Sequence, residues 1–240
     1  MPVIAMLLAT LFWSSTLIGN KILVDHLAIS EVVLTRFGLA ALLLWLLVAL
    51  SGEMPHLRRA GPRPVLMGLL EPGLTSVLFI WGQSYTSAAH ATVFWALMPV
   101  MMPVLGRVVL GETLRPVLMV AAFIALGGTL ILLFGGTNDG GSLKGDLLCM
   151  LGVLCGCANQ LLARRVAQSQ GRPMLTTALQ LTSGALLALA ILLLIERPEA
   201  IRAIDQRGGL LALMLYLGFV ASALPFFLYN YALRHIPVGR

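Results

Sequence analysis

A chain of 240 residues that is 59% apolar, only 11% charged and has a mean hydropathy of +0.94 is not a water-soluble globule, a disordered chain or a nucleic-acid-binding domain. Its net charge of +6 and pI near 9.8 speak first of membrane topology, because all but two of the 16 basic residues are Arg and most sit between apolar runs. A bilayer core of ~30 Å takes ~20 helical residues per crossing, so an all-α polytopic membrane bundle is expected.

Eight apolar runs are predicted to span, at 3–23, 31–50, 64–84, 91–110, 116–134, 146–163, 174–195 and 209–231. Span 1 places Trp13 near its middle and sets Ala5, Ala9, Ser15 and Gly19 at helical spacing, a close-packing pattern. Lys21 and Asp25, four apart, are positioned to pair at its outer end. Arg36, early in span 2, is expected to snorkel towards the interface.

Glu71 stands roughly 10 Å into span 3, where a lipid-exposed carboxylate is costly. It is expected to face a cavity or a partner. A carboxyl group balanced between its two protonation states suits proton coupling or cation recognition; the alternative is a neutral group bonded to a neighbouring helix. Pro72 has no amide proton, so it leaves the Gly68 carbonyl without its helical donor and biases Glu71 away from α geometry.

In span 4, Trp95 is a candidate lining residue, and Pro99 and Pro103 free the carbonyls of Trp95 and Pro99 for a hinge, a lining or simple shape. His90 reads as interfacial. Span 6 carries a Gly152/Gly156 step expected to pack against span 1, and Cys149, Cys155 and Cys157, which lack zinc-site spacing and read as small packing residues. Asn159 and Gln160 there, Gln180 in span 7 and Asn230 in span 8 suit zwitterionic or amide-bearing solutes, or serve as interhelical glue. Pro225 deprives the Ala221 carbonyl as Pro72 deprives that of Gly68.

Alternate loops divide the basic residues unequally. One side collects Arg58, Arg59, Arg63, Arg107, Arg115, Arg164, Arg165, Arg172, Arg234 and Arg240, and the other Lys21, Arg36, Lys144, Arg197, Arg202 and Arg207. The positive-inside bias then places the N-terminus in the cytoplasm. Met1-Pro2 leads directly into a full-length span, without the pattern of a cleavable signal.

Sliding the chain by 150 residues sets Gly68, Leu74 and Leu78 over Gly218, Leu224 and Leu228, and a shift of 144 sets Ala41-Leu42-Leu43 over Ala185-Leu186-Leu187. Two repeats are expected, residues 1–138 with spans 1–5 and residues 142–240 with spans 6–8. A five-span unit re-enters from the opposite side, so the copies are inverted, and paired breaks at Pro72 and Pro225 point to a midplane site. The second copy has no counterpart of residues 91–134, so ten spans are expected where eight are found.

Local patterns agree: Phe12-Trp13-Ser14-Ser15 followed by Asn20-Lys21; Thr35-Arg36-Phe37; Tyr85-Thr86-Ser87-Ala88-Ala89-His90-Ala91 running into Leu97-Met98-Pro99; Leu110-Gly111-Glu112; and the stretch from Tyr229-Asn230-Tyr231 to Arg240. The chain resembles the EamA-type transporters of the drug/metabolite transporter superfamily. That resemblance implies a central cavity between the repeats, lined mainly by spans 1, 3, 4, 6, 8 and 9 and opening alternately to each side.

The expected function is secondary transport of small polar or amphipathic metabolites, such as amino acids or related compounds. Glu71, Trp13, Trp95, Asn159, Gln160 and Asn230 are the candidates for binding or coupling, and Pro72, Pro99, Pro103 and Pro225 for hinges. No phosphate loop, nucleophile elbow, His-Glu-x-x-His or acidic metal cluster occurs, so no catalytic residue, cofactor or metal is expected. The expected partners are the lipid bilayer, a small-molecule substrate and protons, without nucleic acid, for a monomer or homodimer in the cell membrane. The alternatives are a non-transporting subunit or receptor and an integral membrane lipid enzyme; the enzyme calls for His, Asp or Ser clustered at one interface.

Overall fold

A computed structural model describes residues 2–86, 88–111, 116–134, 142–170, 172–196 and 208–235. The described residues form helices joined by turns, as a chain in lipid must when its backbone polar groups have no water to bond. In order these are α1 (Pro2–Ser14), α2 (Thr16–Val24), α3 (Ile29–Leu50), a 3₁₀ turn (Met54–Arg59), α4 (Arg63–Gly68), a π-helical turn (Leu69–Leu74) and α5 (Thr75–Gln83). There follow α6 (Ala88–Leu110), α7 (Pro116–Phe134), α8 (Leu143–Gln170), α9 (Pro173–Ile191) with a π turn (Leu192–Glu196), α10 (Gly208–Leu215), a π stretch (Tyr216–Ala223) and α11 (Leu224–His235).

Among the described residues, seven stretches are long and apolar enough to cross a membrane: Pro2–Val24, Ile29–Leu50, Arg63–Gln83, Ala91–Val109, Leu143–Ala167, Pro173–Glu196 and Gly209–His235. They match all predicted spans except the fifth, which folds as the helix α7 but contributes only a shorter apolar stretch, Met119–Gly128. Large apolar side chains such as Leu7, Leu42, Val108, Ile124 and Leu194 are exposed, while Arg36, Thr177, Gln180, Ser222 and Asn230 are buried. This polarity suits a hydrocarbon surround rather than water.

The turns are where the breakers predict them. After α3, Gly52 takes a left-handed φ of 72°, its N–H donates to the Ala49 carbonyl (3.4 Å) and Glu53 N–H donates to that of Val48 (3.2 Å), closing the helix with paired bonds. At the other end of α3, Glu31 Oε2 accepts from Ala28 N–H and Glu196 Oε2 from Ser30 N–H, both at 3.0 Å, so two carboxylates satisfy donors at its N-terminus.

The chain forms two compact units, one of residues 1–74 with 162–238 and one centred on residues 75–161. In the first, α3 and α9 pack antiparallel along their lengths. Ser30 meets Glu196, Trp45 Nε1 donates to Thr182 Oγ1 at 2.8 Å, and Ser51 Oγ lies 3.8 Å from Met174 Sδ. α1 packs on α11. Leu23, Leu27, Val32, Met214, Leu217 and Ala221 make one core, and Met67, Ala163 and Val166 with Tyr229 and Leu233 another.

The second unit has its own core of Phe79, Ala91, Met98, Met102, Cys149, Val153, Cys157 and Leu161. Cys149 and Cys157 are buried among apolar groups and all three cysteines are free, as expected of packing residues. The Gly152/Gly156 step packs elsewhere than expected. A Cβ at Gly152 would lie 3.1 Å from the Thr75 carbonyl and the Phe79 nitrogen, and one at Gly156 would lie 3.0 Å from Met98 Cε, so its partners are α5 and α6 instead of span 1. Gly82 and Gly145 supply a second close approach of α5 to α8, each within 2.9 Å of the other's carbonyl if a Cβ were added.

Candidate functional site

Two helix interruptions, both in the first unit, organise its buried polar groups. In the stretch 63–83 the helix breaks at Glu71, whose φ of −144° and ψ of 118° are extended, and the Glu71–Pro72 peptide is cis. The sequence signal was the proline: without an amide proton it cannot continue the α4 ladder. Pro72 is buried and Glu71 half-buried. The Glu71 carbonyl accepts from Gln180 Nε2 at 2.9 Å. Gln180 Oε1 accepts from Asn230 Nδ2 (2.9 Å), which also donates to Thr177 Oγ1 (2.9 Å), and Thr177 donates to the Pro173 carbonyl (2.6 Å).

The direction of this network follows from its ends. A carbonyl at Glu71 demands a donor, so Gln180 turns its oxygen to Asn230; Thr177 spends its proton on Pro173, so it too must accept from Asn230. Ser183 Oγ, on the same face of α9, donates to the Val65 carbonyl at 2.9 Å.

The second interruption is the π stretch Tyr216–Ala223, closed by the Leu224 N–H donating back to the Phe219 carbonyl just before Pro225. Pro225 is buried. Beside it Arg36, only 4% exposed, donates from Nη1 to Asn20 Oδ1 at 2.7 Å and from Nη2 and Nε to Ser222 Oγ at 3.2 and 3.4 Å. Arg36 therefore does not snorkel: neutral oxygens on α2 and the π stretch hold it inside, and no described carboxylate lies within ion-pairing distance of it. Its guanidinium carbon sits 4.8 Å from the centre of the Phe37 ring. Phe37 meets Phe226 edge-on at 5.9 Å, and Trp13 meets Phe226 and Tyr229 at 5.2 and 5.4 Å, so Trp13 borders this second centre.

The two centres correspond in position. Gly68 approaches the Gln180 carbonyl and the Ser183 hydroxyl so closely that a Cβ there would collide with both. A Cβ at Gly218 would lie 2.8 Å from Leu39 Cβ and 3.4 Å from the Arg36 carbonyl. The offset of 150 carries Gly68 to Gly218, and that of 144 carries Arg36 and Leu39 to Gln180 and Ser183.

The remaining predicted residues belong to the second unit. Trp95 is half-buried against Phe79 at 5.2 Å, Asn159 is buried, and Gln160 Nε2 lies 3.0 Å from Met98 Sδ. α6 continues through Pro99, which is exposed, and Pro103, which is half-buried. At one end of this unit Thr86 Oγ1 donates to Asp146 Oδ1 at 2.8 Å. Lys144 Nζ stands 4.0 Å from the centre of the Tyr85 ring, and its hydrogen bonding and charge hold that phenol below its ordinary pKa. Lys21 and Asp25 are both exposed and form no ion pair with each other.

Sequence reasoning gave no site role to Asn20, Thr177, Ser183 and Ser222. A signal existed for α9: Thr176, Thr177, Gln180, Ser183 and Gly184 recur at helical spacing in an otherwise apolar run, marking one polar face.

Apolar helices with buried polar groups, one broken at a proline and another widened just before one, define a multi-pass helical membrane protein. The model of the EamA-like transporter family matches residues 1–134 and 143–240, so the chain belongs to that family, whose members are membrane transporters of the drug/metabolite transporter superfamily. A solved structure described only as "Crystal structure of protein" shares the fold, with a TM-score of 0.77 at 17% identity over 96% of this chain and 78% of that one. None of the curated proteins compared matches the chain.

Proposed function

We propose that the protein is a secondary transporter that moves small polar or amphipathic metabolites, such as amino acids or related compounds, by alternating access. It acts as a monomer or homodimer in the cell membrane with a cytoplasmic N-terminus, with protons as the coupling ion. Residues 1–138 and 142–240 are its inverted repeats. The observation that carries this reading is the correspondence of the two interruptions: equivalent glycines, Gly68 and Gly218, rest on equivalent carbonyls of α9 and α3. The antiparallel pairing of α3 with α9 supports it as well, because helices related by an in-plane two-fold axis meet in opposite directions.

Broken helices expose backbone carbonyls and side-chain amides at depth, which is what a polar solute needs on leaving water. Glu71 at the first break is the coupling candidate. Within the first unit Asn230 and Trp13 are the binding candidates beside Pro72 and Pro225; within the second unit the binding candidates are Trp95, Asn159 and Gln160, with Pro99 and Pro103 as hinges of α6.

Concentrative flux in sealed proteoliposomes tests the reading. Uptake or efflux driven by an imposed pH gradient is expected for the wild type, and Glu71→Gln is expected to insert normally while losing that dependence. Insertion without flux of any amino acid or related solute tried would favour the non-transporting subunit, and turnover of a lipid substrate would favour the enzyme. A Glu71→Gln variant with an unchanged pH profile would remove Glu71 from coupling.

A further inference from the structure

A cleft in the first unit, at the N-terminus of α9, carries two arginines that the transport reading does not use. It is lined by Val166, Ala167, Arg172, Pro173, Thr176, Asn230 and Arg234. Arg172 caps α9 and Arg234 lies in the last turn of α11. Among the described residues neither guanidinium has a carboxylate within ion-pairing distance, so two like charges share one cleft with the positive end of a helix dipole.

The floor of the cleft adds a second observation. Thr176 is 6% exposed, yet its hydroxyl has no hydrogen-bond partner among the described residues. Thr176 lines the cleft, so a partner for its hydroxyl can reach it from there. Beside it Asn230, 4% exposed, commits both amide protons to Thr177 and Gln180. Its Oδ1 is left as an acceptor. The cleft thus offers two cationic forks, one hydroxyl donor and one acceptor.

We propose that this cleft binds a small oxyanion, its charged oxygens held by Arg172, Arg234 and the Thr176 hydroxyl and a proton on it, or on a neighbouring atom, donated to Asn230 Oδ1. Planar guanidinium forks match carboxylate and phosphate edges, and an anion between them removes the repulsion of the pair. Hydrogen phosphate fits this pattern, whether free in solution or as the phosphodiester of a lipid headgroup with a water supplying the proton. The site does not depend on the transport reading, since binding at the cleft requires no flux.

The test uses the purified full chain in two kinds of nanodisc. In discs of phosphatidylcholine alone, inorganic phosphate is titrated at constant ionic strength. In discs containing phosphatidylglycerol, the lipid fraction is varied without phosphate. A saturable rise in the thermal midpoint in the first arm assigns a soluble oxyanion, and one confined to the second assigns a headgroup; either supports the site. Arg172→Gln with Arg234→Gln is expected to weaken the effect about 10-fold or more, and Thr176→Val about 3-fold or more. Arg234 is exposed, so Arg234→Gln alone keeps the fold and carries the test should the double variant fail to insert. No saturable shift in either arm, or variants with wild-type half-saturation, would overturn the proposal.

Discussion

The interruptions at Glu71 and at Tyr216–Ala223 use the same steric device and opposite electrostatics. At both, a glycine lets one broken helix rest on a carbonyl of its neighbour, Gly68 on Gln180 and Gly218 on Arg36. At the first, the backbone opens into an extended residue and a neutral amide relay, Gln180 to Asn230 to Thr177, answers it. At the second, the backbone stays helical through its π stretch and a full positive charge, Arg36, reaches Ser222 and Asn20. The glycines set how closely the helices approach, whereas the side chains at positions 36 and 180 decide which charge the centre presents.

Five substitutions break or sharpen this contrast. The largest effect is expected at Gly68→Ala, where the new methyl meets backbone that cannot yield. A loss of about 3 kcal/mol or more is expected in reversible unfolding from mixed micelles, against ~1–3 kcal/mol for Gly218→Ala, which presses mainly on Leu39. Equal losses would mean that the two approaches are equally tolerant.

Gln180→Leu removes the donor to the Glu71 carbonyl and the acceptor of Asn230 together, and about 2–3 kcal/mol should be lost in the same assay. Wild-type stability would show that the relay adds nothing to the fold. Arg36→Met discards an intramembrane charge while leaving Asn20 and Ser222 without their donor, two opposing contributions. The net change is expected within about 1 kcal/mol of zero. A loss above roughly 3 kcal/mol would place an unseen counter-anion at Arg36. Trp45→Phe deletes one hydrogen bond to Thr182 and should reduce stability by roughly 0.5–1 kcal/mol.

The breaks were legible because proline has a fixed local meaning: Pro72 predicts that Glu71 leaves α geometry, and it does. Seven of the predicted spans were legible from apolar run length alone. What each polar side chain touches was not, because contact depends on which helices become neighbours. Arg36 reads as a snorkelling residue from its position near a span end, yet Asn20 and Ser222, sixteen and 186 residues away, hold it inside. The Gly152/Gly156 step announces a close approach without saying to which helix, and α5 with α6 fills that place. The amide relay joins Glu71, Gln180 and Asn230, an alignment that the apolar periodicity of the separate spans does not encode.

The π stretch Tyr216–Ala223 also changes which way its helix looks. Each residue turns an α-helix by about 100°, so one residue accommodated in a wider turn rotates everything downstream by about that angle. Upstream, Leu210 and Met214 are aimed into the apolar packing around Leu23; downstream, Asn230 is swung round to α9, where it bonds Gln180. A single continuous α-helix would have had to choose between these two faces, and the widened turn lets one stretch of chain serve both.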